Sequence, residues 1–297
     1  MTSVQLARAE IRDGSLRFST PGGWQDALTR GLFYLRSPDD LDYAAAIRFC
    51  ESFYLERTGA ANDDYKGFRR ATFEGSVLGY SDAGKDQVER VQLELGLWQR
   101  YLPAAVSPVL HRLNDLARTV VRSLFARCGV QPAHVAQITG GMDDNEALQY
   151  CIFNNFESRK RSADGFTPHK DSGFVQIMYS PEPGLEIWEN AQWAPLDPLP
   201  GHLIAVSGHS LEVLTARLAT RAAAAYHRVR SIAARPTEQK DRISFGVYIG
   251  PRFEQDLFQY DETGDLTRFK SFLAFQKQKA AEMGYEFGDI HPALGAR

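Results

Sequence analysis

The sequence has little sulfur chemistry to offer. Its three cysteines, Cys50, Cys128 and Cys151, are odd in number, far apart and in no C-x-x-C spacing. That excludes a disulfide framework and a cysteine-based zinc site. Apolar runs are short. None approaches the roughly 18 residues of a membrane-spanning helix, and the opening MTSVQLARAEIRDG has no apolar core of the signal-peptide kind. A cytoplasmic, reduced protein is the expectation. Charge of one sign is also missing: 34 basic residues face 37 acidic ones, a net of −3. No broad field is available to attract nucleic acid or an anionic membrane. The short cluster Arg159-Lys160-Arg161 reads as a solvated loop. Internal repeats and low-complexity tracts are absent. What remains is an ordinary globular chain of 297 residues, 43% hydrophobic and 24% charged, read as one domain over 1–297.

Three stretches can be told apart. Residues 1–130 read as largely helical, with a helix over Leu41–Arg57 and a clearer one from Ser107 that stops at Gly129. Gly31–Leu35 reads as a short buried strand, and Asn62–Asp86 as loop-rich. Residues 135–253 read as many short strands: Leu148–Phe153, Phe174–Tyr179, a hairpin of Leu185–Trp188 with Trp193–Leu196, His202–Ser207 and Arg242–Ile249. Strands at this spacing predict a sandwich or barrel. Leu211–Ala225 conflicts, because its Ala and Leu content suits a helix. Residues 264–285 predict an amphipathic helix packed on the β core, through Leu266, Phe269, Phe272, Leu273 and Phe275.

The chemistry concentrates in Thr167-Pro168-His169-Lys170-Asp171-Ser172-Gly173. Alternate side chains of a strand share a face, so His169 and Asp171 project together and Lys170 turns away. One imidazole beside one carboxylate supplies two metal ligands. His227 is the candidate third. Residues 172–226, 55 in all, leave enough chain to cross a sandwich and return beside the pair. Two histidines and one carboxylate on one octahedral face leave three positions open, the arrangement of an oxygen-activating Fe(II) site, whereas structural zinc would want a fourth protein ligand. A bare His-x-Asp is common by chance, and context must carry the reading. Fifteen residues after His227 comes Arg242-Ile243-Ser244, whose alternation puts a guanidinium and a hydroxyl on one face, suited to a carboxylate. A surface arginine at the start of a strand is the plain alternative.

In order and spacing these segments resemble the isopenicillin N synthase-like group of 2-oxoglutarate/Fe(II)-dependent dioxygenases. Gly31–Leu35 is similar to that group's "GFFYL" strand, His169–Gly173 to "HTDxG", and Gly184-Leu185-Glu186-Ile187 with Trp193 to "GLQV…W". Leu199-Pro200-Gly201 through Leu211–Thr215 resembles "LPG…LEVLT", His227-Arg228-Val229 "HRV", and Arg242-Ile243-Ser244 "RxS". The Tyr65–Gly75 loop looks like that of the bacterial cephalosporin-forming (deacetoxycephalosporin C synthase-like) members. The resemblance implies a mainly β fold with helical additions around a double-stranded β-helix, or cupin-like jelly roll. It implies Fe(II) on His169, Asp171 and His227, and 2-oxoglutarate with its far carboxylate on Arg242 and Ser244. With O2 this would hydroxylate, desaturate or cyclise a small, amino-acid-derived or antibiotic-type molecule through an Fe(IV)-oxo species. Chlorination is disfavoured, because Asp171 occupies the position that halide would need. Candidate substrate-lining residues are Phe68, Arg69, Arg70 and Tyr150.

Four positions depart from the pattern. Ile152-Phe153-Asn154 stands where Tyr-Tyr-Pro is frequent, which keeps open a 2-oxoglutarate-independent oxidase whose Arg242 and Ser244 bind the substrate's own carboxylate. His209 replaces a frequent Asp and reads as a loop residue. Thr215–Ala225 lacks the usual Asn-Gly turn. A longer interval before Arg242 suggests an extended loop around Ala234-Arg235-Pro236. A non-catalytic β-sandwich binding module would require every motif to be coincidence.

Overall fold

The computed structural model describes residues 4–61, 63–82, 84–160, 162–232 and 241–290. In chain order it begins with strands β1 (Arg8–Arg12) and β2 (Ser15–Phe18), helix α1 (Gly23–Arg30), β3 (Leu32–Arg36), α2 (Ala44–Cys50), β4 (Gly79–Ser81) and β5 (Val88–Glu94). Helices α3 (Trp98–Tyr101), α4 (Ser107–Cys128) and α5 (Val135–Thr139) follow. The middle holds β6 (Leu148–Phe156), β7 (Asp164–His169), β8 (Val175–Tyr179), β9 (Leu185–Glu189), β10 (Gln192–Pro195) and β11 (His202–Ser207). The chain continues with α6 (His209–Thr215), β12 (His227–Arg230), β13 (Arg242–Gly250), β14 (Asp256–Tyr260), β15 (Leu266–Ser271), α7 (Phe272–Glu282) and α8 (Phe287–Ile290).

A nine-stranded sheet runs β2-β1-β3-β11-β8-β13-β6-β5-β4, and a four-stranded sheet runs β10-β9-β12-β7. Strand alternation divides the large sheet into two chemically distinct faces. Phe33 and Leu35, Val91 and Leu93, Cys151 and Phe153, Val175 and Ile177, Leu203 and Ala205, and Phe245 and Val247 all join one apolar core with α2 and α4. Their neighbours in sequence point the other way. Near β3, Leu32, Tyr34, Ile204 and Val206 meet Leu185 and Ile187 of the small sheet. Towards β5 the same inner face turns polar, with Arg90, Gln92, Asn154, Gln176 and Ser244 lining a cavity. The mainly β, jelly-roll fold with helical additions follows from this pairing of sheets.

Helix α4 matches its sequence pattern. Val109, Leu110, Leu113, Leu116, Val120, Val121, Leu124 and Phe125 are all buried, and Gly129 ends the helix at φ 93° with its N–H on the Phe125 and Ala126 carbonyls. Other elements correct the sequence reading. The first 130 residues are not simply helical, since they supply β1 to β5, five strands of the large sheet. Helix α2 covers only Ala44–Cys50 of the longer helix predicted there. The predicted C-terminal helix is half strand: β15 pairs with β14, and α7 starts at Phe272, where Ser271 Oγ accepts the Ala274 N–H. Phe269, counted in the helical stripe, is 42% exposed on that strand. Leu211–Ala225 is helical only to Thr215, whose hydroxyl then accepts the Ala222 N–H. The loop at Ala234-Arg235-Pro236 lies outside the described residues, as does Arg161.

Gly246 sits at the sheet centre, where a Cβ would meet the Ile177 carbonyl oxygen at 2.0 Å and Met178 Cα at 2.9 Å. Both are backbone of the neighbouring strand and cannot swing aside. Gly246→Ala is therefore expected to lower stability by about 3 kcal/mol, the upper end of ordinary overpacking, read as a lower denaturation midpoint with an unchanged slope.

Candidate metal centre

His169 closes β7 and His227 opens β12, and the two residues are paired in register across the small sheet. Their rings stand 4.4 Å apart, centroid to centroid. Asp171 lies two residues past the end of β7, with Oδ1 3.4 Å from His169 Nε2. One ligand atom from each of His169, Asp171 and His227 lies within 4.8 Å of the other two. Lys170 pairs instead with Glu212 of α6 at 2.7 Å, and Arg228 with Glu186 at 2.7 Å. The charged neighbours of the three candidates are thus tied to acids outside the cluster.

Hydrogen bonding fixes which nitrogen is available. His169 Nδ1 lies 2.7 Å from the Thr167 carbonyl and His227 Nδ1 3.1 Å from the Ala225 carbonyl. A carbonyl can only accept, so each Nδ1 carries the proton and each Nε2 presents a lone pair. Burial, followed by the nearby His169, pushes His227 down to about 4, so its ring is neutral at pH 7. Burial alone would raise Asp171, but the adjoining imidazoles of His169 and His227 outweigh it and hold the carboxyl below its ordinary range. Asp171 Oδ2 is buried without a hydrogen-bond partner. Two imidazole nitrogens, one carboxylate and an unsatisfied oxygen in one place fit a divalent metal of intermediate hardness.

The cavity beside this cluster encloses about 920 Å³, counting its open mouth. Its floor is the inner face of the large sheet, including Tyr150, Asn154, Ser244 and Tyr248. Ser244 Oγ accepts from Asn154 Nδ2 at 3.1 Å. Arg242, on the same strand face, is buried and gives Nη1 to the Pro183 carbonyl at 3.2 Å and Nη2 to the Arg230 carbonyl at 2.9 Å. Its Nε has no partner. Burial pulls its pKa down to about 10, which leaves it charged at neutral pH. A buried guanidinium with an idle donor beside a serine hydroxyl fits a carboxylate such as the far end of 2-oxoglutarate.

The substrate-lining expectations need correction. Tyr150 lines the cavity, stacked on Tyr248 at 4.3 Å. Phe68 does not: it is buried in the outer core between Phe49 and Phe73. Arg69 lies on the outer face, bound to Glu89 and, at 2.6 Å, to Glu157. Arg70 is exposed at φ 59° and is not among the cavity residues. An arginine-rich loop signal cannot reveal partners 20 and 88 positions away. His209 is no ligand either; it opens α6 against the Phe275 ring. Sequence reasoning missed Arg90, Gln92 and Gln176. Their signal was polar residues alternating with apolar ones along strands whose apolar side is fully buried.

The Arg69 network carries its own test. Hydrogen bonding to Glu89, reinforced by burial, raises Glu157 to about 7 from 4.5. The folded state therefore prefers protonated Glu157, a contribution complete below about pH 4.5 and lost as pH rises through about 7. Glu157→Gln, which donates permanently, should be more stable than the parent at roughly pH 8 and equal to it below roughly pH 4.5. Thermal melts across that range check this.

Comparison with known proteins agrees with the geometry. Residues 147–251, which contain all three ligand candidates, match the family model of the 2OG-Fe(II) oxygenase superfamily. Among curated relatives, 2-oxoglutarate-dependent dioxygenase 21, chloroplastic, from Oryza sativa subsp. japonica is 30% identical over 131 residues, 40% of this chain and 38% of that protein. Protein SRG1 from Arabidopsis thaliana is 26% identical over 163 residues, 52% of this chain and 45% of that protein. The chain thus spans less than half the length of either. Solved structures extend the likeness of fold to nearly the whole chain. The dioxygenase for auxin oxidation in rice aligns with a TM-score of 0.66 at 19% identity, covering 98% of this chain and 99% of that one. JOX2, solved with 2OG, Fe and JA, aligns with a TM-score of 0.64 at 17% identity, covering 89% and 80%.

Proposed function

We propose that this chain, whose residues 147–251 match the 2OG-Fe(II) oxygenase superfamily, is an Fe(II)- and 2-oxoglutarate-dependent oxygenase acting on a small molecule. The observation that carries the reading is the convergence of His169, Asp171 and His227 on one point at the edge of a cavity. Those three side chains would hold the iron. Arg242 and Ser244 would hold the far carboxylate of 2-oxoglutarate. Bound iron with 2-oxoglutarate and O2 supplies the power to oxidise a C–H bond, while 2-oxoglutarate leaves as succinate and CO2. The protein's contribution is placement and shielding. Ile152, Phe166, Met178, Leu185 and Val229 wall the cavity with apolar surface and keep water from the reacting bond. Hydroxylation, desaturation or ring closure then depends on which substrate bonds these walls present. JOX2 was solved with a small organic ligand, JA, beside 2OG and Fe, which accords with a small-molecule substrate here. The narrower kinship with cephalosporin-forming enzymes drew on the Tyr65–Gly75 loop, and Phe68 and Arg69 of that loop face away from the cavity. Cytoplasmic residence accords with three buried free cysteines. Among the described residues no helix is long and apolar enough to cross a membrane.

Succinate released in proportion to O2 consumed, dependent on added Fe(II) and 2-oxoglutarate, is the expected result. O2 consumption without succinate would favour the second reading, an oxidase whose Arg242 and Ser244 bind the substrate's own carboxylate. The Ile152-Phe153-Asn154 stretch, which stands where Tyr-Tyr-Pro is frequent, is what keeps that reading in play, and its Asn154 amide is bonded to Ser244.

A further inference from the structure

Arg90 is a buried cation that faces the cavity and makes no ion pair among the described residues, while the carboxylates of Asp86 and Asp171 lie near enough to favour its charge. Strand β5 sends Val91 and Leu93 into the outer core and Arg90 and Gln92 inward. Arg90 is 7% exposed. Its Nε donates to Ser81 Oγ at 2.7 Å, and its guanidinium carbon lies 5.1 Å from the Phe166 ring centre. Among the described residues its terminal nitrogens make no hydrogen bond and the side chain makes no ion pair. Burying a guanidinium with idle donors is costly unless a partner arrives.

The other charges around the cavity are already committed. The lining holds three cations, Arg90, Lys170 and Lys279, and one acid, Asp171. Lys170 pairs with Glu212 and Lys279 with Glu282. Asp171 belongs to the metal cluster. Arg242, which is not in this lining, is the cation assigned above to the cosubstrate. Across the sheet the register runs Arg90, Asn154, Ser244 on adjacent strands. Two strand spacings, roughly 10 Å, therefore separate the Arg90 and Ser244 backbones, enough for two distinct anchors. Around Arg90 the wall mixes the apolar Ile152, Phe166 and Met283 with the amides of Gln92 and Asn154.

We propose that Arg90 binds the carboxylate of the organic substrate, which makes that substrate a small acid with an apolar body. The inference rests on the oxygenase reading above. One planar guanidinium with parallel N–H donors matches a carboxylate bidentately.

The test uses phenylacetate and octanoate against phenylacetamide and octanamide, with the parent, Arg90→Met and Arg90→Lys. Binding is read from perturbation of the anaerobic Fe(II)·2-oxoglutarate absorption band and, without metal, from the shift in thermal melting. The parent should bind each acid at least about tenfold more tightly than its amide, as expected for one charge-assisted pair. Arg90→Met should lose that preference, Arg90→Lys should keep part of it, and the KM for 2-oxoglutarate should stay unchanged in both. Three results would overturn the inference: no acid preference in the parent, an undiminished preference in Arg90→Met, or a raised 2-oxoglutarate KM in Arg90→Met. Should Arg90→Met fail to fold, the acid–amide comparison in the parent and Arg90→Lys decides. A parent that shows no band but retains acid preference in melting would count against the iron reading and leave the Arg90 assignment standing.

Discussion

His227→Ala loses iron and turnover together. The imidazole removed is one of the three proposed ligands, and its Nε2 lone pair has no substitute nearby among the described residues, since His209 opens α6 against Phe275 and faces Glu212. Losing only a partner that orients a metal ligand costs up to about 100-fold in metal affinity, so losing the ligand itself should cost more. The expected result is an Fe(II) affinity reduced by more than about 100-fold and no detectable succinate formation. His209→Ala should bind iron like the parent. Calorimetric titration of both variants with Fe(II) under argon checks the pair of expectations. Equal iron binding in His227→Ala and the parent would remove that residue from the site.

Arg242→Ala is the second large effect, and it should fall on the cosubstrate alone. The guanidinium is buried, charged and short of one acceptor at Nε. Its loss removes a charge-assisted pair, on the order of 1.5–3 kcal/mol, which corresponds to about a 10- to 150-fold rise in the KM for 2-oxoglutarate. Turnover at saturating 2-oxoglutarate should change far less, because the group lies at the far end from the bond that breaks. Arg242→Lys should recover only part of the affinity, since an ammonium lacks the planar fork. Iron affinity should be unaltered. An unchanged KM would move the carboxylate site elsewhere, with Arg90 the next cation to test.

The cluster of His169, Asp171 and His227 was legible because its signals are local. His169 and Asp171 are two residues apart at and just past the end of one strand, and His227 opens a strand with its own motif. Helix α4 was legible through an unbroken apolar stripe ended by Gly129. The β5 strand was not legible, for a physical reason. Val-Glu-Arg-Val-Gln-Leu-Glu alternates like a strand with one wet face, yet that wet face is the wall of an internal cavity. Charge in the sequence therefore looked like loop and solvent. The error at Phe68 to Arg70 has the same root. Phe68 and Arg69 are fixed by core and ion-pair partners brought together only by the fold. At the C-terminus, Leu266, Phe269 and Phe272 mimic helical spacing. The Asx turn at Asp261, whose carboxylate accepts the Thr263 and Asp265 N–H groups, instead starts a hairpin.

Anaerobic spectroscopy bears most directly on the central claim, that His169, Asp171 and His227 jointly grip one iron and leave coordination positions free for 2-oxoglutarate. Fe(II) followed by 2-oxoglutarate should produce a weak visible charge-transfer band in the parent, saturating at one iron per chain. The band should be absent in His169→Ala, Asp171→Ala and His227→Ala. A band of full intensity in any of the three, or none in the parent, would contradict the account.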